Sequence, residues 1–236
     1  MTISVIIPAL DEAESLPGTL RALADAGTLL EVIVVDGGSQ DATADIARAS
    51  GARLLSNPRP QRAAQMNLGA AEAHGDALLF LHADTRLAPR ALEAVAAALA
   101  SPGTVGGAFL RFFESPSRLL RWTCRLGAWR ARRLGWYFGD QGIFVRRDVF
   151  RELGGYRDCD VFEDLEFSRR LKRAGRVVLI ELAAKSSARR FATQGVLWRT
   201  LADVWLTCLY LAGANPLHLA RRARRPRAIE AGGRRG

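Results

Sequence analysis

The chain has 236 residues, enough for one sizeable core, and no Pro/Gly/Ser linker divides it, so a single domain with appendages is expected. Its three cysteines, Cys124, Cys159 and Cys208, are too widely spaced for a zinc or disulfide signature, which suits a reducing compartment. The net charge of +10 is concentrated in residues 216–236 (seven Arg, one Glu) and 115–135 (six Arg, no acid); the remaining body is near neutral and shows no basic-aromatic stacking module, so a uniform basic face tracking nucleic acid is not indicated and no nucleic-acid partner is expected.

Met1 leads directly into Ile3-Ser4-Val5-Ile6-Ile7-Pro8, a β-branched strand closed by proline. No basic stretch or cleavage site precedes it, so no signal peptide is expected and the protein is read as cytoplasmic. Ala9-Leu10-Asp11-Glu12 forms a loop into a helix that starts at Ser15 or Pro17 and stops before Gly27. Glu31-Val32-Ile33-Val34-Val35-Asp36 is the second strand, and the turn Gly37-Gly38-Ser39-Gln40-Asp41 delivers the chain into a helix at Ala42. The pattern repeats as strand 52–55, helix 61–74, strand 77–81 and helix 89–100. This alternation predicts right-handed βαβ crossovers and an α/β, doubly wound, mostly parallel sheet with helices on both faces.

The unbroken run Ala77-Leu78-Leu79-Phe80-Leu81 reads as a strand buried on both faces, and it ends in the polar cluster His82-Ala83-Asp84-Thr85. Open α/β sheets place ligands just beyond such strand ends. Asp84, flanked by His82, is therefore a candidate to hold a divalent cation across a diphosphate; the alternative is that Asp84 and Thr85 cap the next helix. By the same strand-end logic, Pro8, Ala9, Leu10, Glu12 and Asp36 are placed around a nucleoside. For Asp36 the alternative is a turn-forming role before Gly37-Gly38. Arg62 and Gln65 lie near the start of helix 61–74, where Arg62 is suited to phosphate and Gln65 is a second candidate, a solvated helix face being the alternative.

Beyond Ser101-Pro102-Gly103 the character changes. Residues 105–112 read as a strand whose glycines mark close approach of another backbone or a substrate. Residues 117–134 form a helix mixing tryptophan and leucine with six arginines, either packed with a solvated basic face or lying in a lipid interface. Gly139-Asp140-Gln141-Gly142 is a polar turn feeding a strand, and Asp148 is expected to cap the next helix, which ends at Gly154-Gly155. Glu163-Asp164-Leu165-Glu166 opens a further helix, where acids are favoured by the helix dipole in any case. Arg176–Ile180 is a strand, and residues 195–215 form an amphipathic helical extension whose clean apolar run is too short to span a bilayer. Residues 1–194 thus make the main domain, and 216–236 a basic tail expected to be disordered.

Ser4-Val5-Ile6-Ile7-Pro8-Ala9-Leu10-Asp11-Glu12 with Val34-Val35-Asp36-Gly37-Gly38-Ser39-Gln40-Asp41 resembles the opening of family 2 glycosyltransferases, usually Ile-Pro-x-Tyr-Asn-Glu and Val-Asp-Asp-Gly-Ser-x-Asp. His82-Ala83-Asp84 is similar to their Asp-x-Asp motif with His in place of the first Asp, and Gly37 replaces the second Asp of the turn. With Arg62-Ala63-Ala64-Gln65-Met66-Asn67-Leu68-Gly69 and Gly139-Asp140-Gln141-Gly142, the set resembles the small bacterial branch associated with selenodomain and arsenosugar gene neighbourhoods. The likeness runs from about Thr2 to Arg190.

The resemblance implies a GT-A fold and transfer of a sugar, with inversion, from a nucleotide diphosphate donor to a hydroxyl acceptor; the sequence leaves open whether that acceptor is lipid-linked, as the arginine-rich segments would suit, or a small molecule. It implies Mg²⁺ or Mn²⁺ held by Asp84 with His82, and a catalytic base at Asp164 with Glu163 as the substitute. It adds Gln141 to the donor site. Ser187-Ala188-Arg189-Arg190-Phe191 loosely resembles the Gln-x-x-Arg-Trp element of processive members, which assigns Arg190 to the diphosphate, a surface loop being the alternative. An anionic membrane surface is a further expected partner, from the arginine-rich ends. The same residues bear on two rival readings. A sugar-phosphate nucleotidyltransferase would open with a Gly-rich, Arg-containing loop where this chain has Ala9-Leu10-Asp11-Glu12. A catalytically degenerate nucleotide-sugar-binding protein is suggested by the missing first Asp of the Asp-x-Asp motif.

Overall fold

In the computed structural model, which describes residues 1–27, 31–159, 161–188 and 195–213, the apolar runs form one eight-stranded sheet. Its parallel half comprises β1 (Ile3–Ala9), β2 (Glu31–Asp36), β3 (Arg53–Ser56) and β4 (Ala77–Phe80), connected through α1 (Leu16–Ala24), α2 (Thr43–Ala49) and α3 (Arg62–Glu72). β1 alternates its side chains between two cores. Val5 and Ile7 pack with Leu16 and Leu23 on one face, while Ile6 meets Ala63 and Met66 on the other. A strand covered on both faces needs apolar residues at every position, which is why these strands read as continuous hydrophobic runs.

The second half is mixed. The elements are β5 (Thr85–Leu87), α4 (Ala91–Ala100), β6 (Thr104–Phe113), α5 (Arg118–Leu134), a 3₁₀ turn (Gly139–Gln141), β7 (Ile143–Arg146), α6 (Arg147–Glu152), α7 (Glu163–Ala174), β8 (Arg176–Ser186) and α8 (Val196–Leu211). The strand order across the sheet is β3-β2-β1-β4-β7-β6-β8-β5, with β7 antiparallel to both neighbours and β5 antiparallel to β8. β7 reverses because the connection through α5 leaves and returns at the same edge of the sheet, so the next strand must run back across it.

Three expectations are corrected. Thr85 does not cap a helix: it belongs to β5, pairs with Ser186, and α4 starts only at Ala91 after Arg90 in the left-handed region (φ 62°). Three residues of strand are too short for periodicity to reveal. β8 continues six residues past Ile180, because its second half pairs with the end of β6 after a register shift at Phe109/Leu110. Asp148 lies inside the first turn of α6, whose flanking residue is Arg146. The glycines of β6 mark backbone proximity as expected: a Cβ at Gly107 would collide with the Val178 carbonyl oxygen.

α8 packs along α5 and is pinned near the start of α7 by stacking of Tyr210 on Phe162, ring centroids 4.9 Å apart. Its Leu197, Trp198, Leu201, Val204 and Trp205 remain exposed, as do Trp122, Leu126 and Trp129 of α5. No helix among the described residues is long and apolar enough to cross a membrane. The basic segment 216–236 lies outside the described residues.

Candidate active site

The strand ends at the carboxyl edge of the parallel half form one polar ledge. Ala9 of β1 is in register with Asp36 of β2, and Gly37 N donates to Ala9 O at 2.9 Å. The loops after the two strands are laced together. Asp11 N donates to Ser39 Oγ, Gln40 N to the Asp11 carboxylate at 2.8 Å, Glu12 N to Thr43 Oγ1 and Ala13 N to the Asp41 carboxylate. Asp11 has φ 53°, a region that Asn and Asp tolerate best among side-chain-bearing residues, so the departure from the family's Asn keeps both the backbone shape and an acceptor oxygen.

Asp36 turns its carboxylate into its own loop, accepting from Gly38 N, Ser39 N and Ser39 Oγ. The turn-forming role is therefore real, and Asp36 lies on the ledge at the same time, 8% exposed. Pro8 and Ala9 are buried in β1, while Leu10 stands out at 43% exposure and Glu12 is partly exposed. Gln65 is neither a ligand-facing group nor on a solvated face. It is buried, and its amide donates to Ala9 O at 2.9 Å and Val35 O at 2.8 Å, tying the ends of β1 and β2 from beneath. Gly37 stands where the family carries a second Asp, and a Cβ there would lie 3.1 Å from that amide. Gln65 and Gly37 thus form a matched pair.

The other side of the ledge collects the charged groups. Arg62, the first residue of α3, pairs with the buried Glu163 at 3.2 Å, and Asp84 and Asp164 also lie within its field. A solvated helix face is thereby replaced by an arginine facing three carboxylates. Gly139 N donates to Asp164 Oδ2 at 3.0 Å; Asp164 Oδ1 is buried without a hydrogen-bond partner among the described residues. Burial and the adjacent Glu163 push the Asp164 carboxyl up to about 8, against the lowering pull of Arg62 and the Gly139 N–H. Beneath the pair, Tyr156 packs edge-on to Phe80 with its phenol group held well above its ordinary range by burial and by the same two acids.

His82 and Asp164 meet across Gly139. A Cβ on Gly139 would run into His82 Nε2 and come within 2.5 Å of Asp164 Oδ2, so only glycine lets the turn carry an N–H into the carboxylate. The sequence showed Gly139 only as part of a polar turn. Gly139→Ala is expected to displace Asp164 or His82 and lower turnover at least tenfold with the fold retained; steady-state kinetics beside a thermal melt checks it, and wild-type turnover would refute the tight contact. His82 Nε2 is thus buried against this glycine.

Gln141 is also withdrawn from the donor site. Its Oε1 accepts from Arg130 Nη2 and Phe138 N, and its Nε2 donates to Phe109 O, which fixes the 3₁₀ turn from inside. Two half-buried arginines that the sequence did not mark out stand behind this turn. Arg111 pairs with Asp140 at 3.0 Å, while Arg130 lies over the Phe138 ring, its guanidinium lowered to about 10 by burial and by Arg111. An arginine inside the otherwise apolar run Ala108-Phe109-Leu110-Arg111-Phe112 was the available signal. A chain of contacts connects this pair to Asp84: Ser186 Oγ bonds both Asp140 O and Thr85 Oγ1, and Ser187 N donates to Asp84 O. Arg190 lies outside the described residues.

Among the described residues no group of three or more His, Cys, Asp or Glu side chains converges to hold a metal ion. The arrangement fits a cation bound by one carboxylate with the donor's phosphates completing its shell, the usual habit of Mg²⁺ at phosphate sites, and it does not fit an all-protein cage.

Similar folds occur in known transferases, and they define the class: the chain has the GT-A fold of nucleotide-sugar glycosyltransferases. The mannosyltransferase PcManGT of Pyrobaculum calidifontis, solved with GDP-Man and Mn²⁺, superposes with a TM-score of 0.64 at 20% identity, covering 78% of this chain and 56% of that one. The glycosyl transferase family 2 model matches residues 4–154, and the chain belongs to that family. It is 26% identical over 222 residues to the probable glycosyltransferase YdaM of Bacillus subtilis, 84% of this chain and 53% of YdaM. It is 30% identical over 176 residues to the undecaprenyl-phosphate 4-deoxy-4-formamido-L-arabinose transferase of Pseudomonas aeruginosa, 68% of this chain and 51% of that protein. The chain thus spans about half the length of these relatives.

Proposed function

We propose that the protein moves a glycosyl group from a nucleoside diphosphate sugar to a hydroxyl acceptor with inversion, as a member of the selenodomain- and arsenosugar-associated branch of the family. The observation that carries this reading is the buried Asp164, held by the Gly139 N–H beside Arg62, Glu163 and Asp84 at the carboxyl edge of the sheet. The nucleoside would lie along Pro8, Ala9, Leu10, Glu12 and Asp36, with Arg62 and Arg190 toward the diphosphate. Asp84, with His82 two residues before it in the chain, would hold Mg²⁺ or Mn²⁺, which would supply charge neutralisation of the departing diphosphate.

The acceptor hydroxyl attacks the anomeric carbon as the bond from that carbon to the phosphate oxygen breaks. The hydroxyl proton passes to Asp164, and the nucleoside diphosphate leaves with the bonding pair. A carboxyl held above its usual range is a stronger base than a free one, provided it is ionised at the working pH. Glu163 keeps Arg62 in place and raises the basicity of its neighbour. The test is incubation of the full chain with UDP-, GDP- and dTDP-sugars, with and without Mn²⁺, reading nucleoside diphosphate release. Release from one donor that depends on Asp164 supports the assignment; no release from any donor, with nucleotide still bound, would leave a degenerate binding protein.

We place the exposed Trp and Leu residues of α5 and α8, among the arginines of α5, against an anionic membrane at the inner face of the cell membrane. Arginines near such a surface contribute about 1 kcal/mol each and are screened within about 8 Å at physiological salt. Sedimentation with anionic vesicles should be strong at low salt and weak at high salt. Equal, negligible binding to anionic and neutral vesicles would remove the membrane from the picture.

A further inference from the structure

Between α5 and α8 lies a cavity of about 460 Å³ that the donor site does not use. Its walls are apolar and aromatic, including Trp122, Leu126, Trp129 and Trp136 from α5 and the loop after it, and Val204 from α8. Volume and lining are those of a small-molecule site. Its position is informative. Leu165 and Phe138 also line it, and their chain neighbours are Asp164 and Gly139, the carboxylate and N–H at the centre of the candidate active site.

The polar groups at this cavity are few and fixed. Arg111 and Arg130 both line it, the first tied to Asp140 and the second to Gln141 and to the Trp136 carbonyl. Neither Asp140 nor Asp164 lines it; they lie two residues after the lining Phe138 and one before the lining Leu165, and the Oδ1 of each is buried with no hydrogen-bond partner among the described residues, so both have acceptor capacity to spare behind the cavity wall. An occupant needs an apolar body for the aromatic walls and a hydroxyl donor at the end nearest Asp164.

We infer that this cavity is the acceptor-tail site, and that the acceptor is an amphiphilic alcohol with an extended hydrocarbon body, a long-chain or isoprenoid-like alcohol, whose hydroxyl is delivered to Asp164. The inference rests on the glycosyl-transfer reading above. α8 forms one wall, and the stacking of Tyr210 on Phe162 anchors that wall one residue before the Glu163-Asp164 pair, so tail binding and base position share an element. The exposed apolar residues of α8 continue from the cavity to the surface, a route by which such an alcohol enters from a lipid layer.

All five tryptophans lie at 122, 129, 136, 198 and 205, and three of them line the cavity, so the protein carries its own reporter. The full chain is titrated with farnesol below its aggregation concentration, following tryptophan emission, and separately with UDP, GDP and dTDP plus Mn²⁺, following thermal shift. Farnesyl phosphate and glycerol are run as second and third ligands. The expected result is a saturable emission change with farnesol, none with glycerol, and at least tenfold weaker binding in Val204→Arg and in Thr123→Trp, which block the cavity from α8 and α5 respectively. Nucleotide shifts should be unchanged in both variants, which also shows that they fold. Farnesol should stimulate release of nucleoside diphosphate from the donor.

Loss of nucleotide binding in the wild type would sink the glycosyl-transfer reading itself. Intact nucleotide binding with no farnesol response, or with a response equal in both blocked variants, would overturn the tail site alone. Stimulation by farnesyl phosphate and not by farnesol would overturn the hydroxyl acceptor in favour of a phosphate one, and stimulation by glycerol alone would overturn the apolar acceptor.

Discussion

Asp164→Asn is expected to lower turnover by roughly a hundredfold or more, the usual scale for removing a general base, while nucleotide affinity stays within about twofold of wild type. The amide keeps the shape of the carboxylate but cannot take the acceptor proton. In the wild type kcat/KM should rise with pH, reach half its plateau near 8 and level off above that, because the base works only when ionised and its carboxyl is held up to about 8 by burial and Glu163. That limb should vanish in the variant. Stability moves the other way. A carboxyl raised in the folded state contributes stability that is whole below the ordinary carboxylate range and is lost as pH rises through about 8, since the unfolded chain releases the proton earlier. The melting temperature of Asp164→Asn should therefore gain on that of wild type between pH 5 and pH 9. If Asp164→Asn stays active and Glu163→Gln does not, the two roles must be exchanged.

Asp84→Asn should abolish the metal-dependent part of nucleotide binding. Asp84 follows the buried end of β4, its carbonyl is fixed by Ser187 N, and it is the only acid of the sequence's His-Ala-Asp motif, so no second motif carboxylate stands in for it. The amide preserves size and removes the charge that draws the cation. A nucleotide present at a hundred times its dissociation constant stabilises the fold by about 2.7 kcal/mol, and most of this gain in the presence of Mn²⁺ should disappear in the variant. His82→Ala should act differently: with Nε2 buried against Gly139, its loss is expected to disturb Asp164 and turnover more than cation affinity. Undiminished Mn²⁺-dependent binding by Asp84→Asn would rule this site out.

What the sequence determined by itself was the periodic half of the molecule and the address of its chemistry. Short, β-branched or continuous apolar runs alternating with helical segments fit strands covered on both faces, and a polar residue that closes or soon follows such a run falls at the sheet edge, so Asp36 and Asp84 were legible one at a time. Asp164 was legible through its neighbour Glu163 and its resemblance to a family motif. Tertiary structure decided which polar residues face a ligand and which hold the frame. Gln65 and Gln141 have the right chemistry for substrate, yet both are buried with their amides bonded to backbone carbonyls or side chains of the loops, a matter of direction that spacing along a chain does not encode. The reversal of β7, the short β5 and the meeting of His82, Gly139 and Asp164 from three separate segments likewise depend on contacts between residues far apart in sequence. The cavity between α5 and α8 does too, because an amphipathic helix states that it must bury one face and leaves open against what.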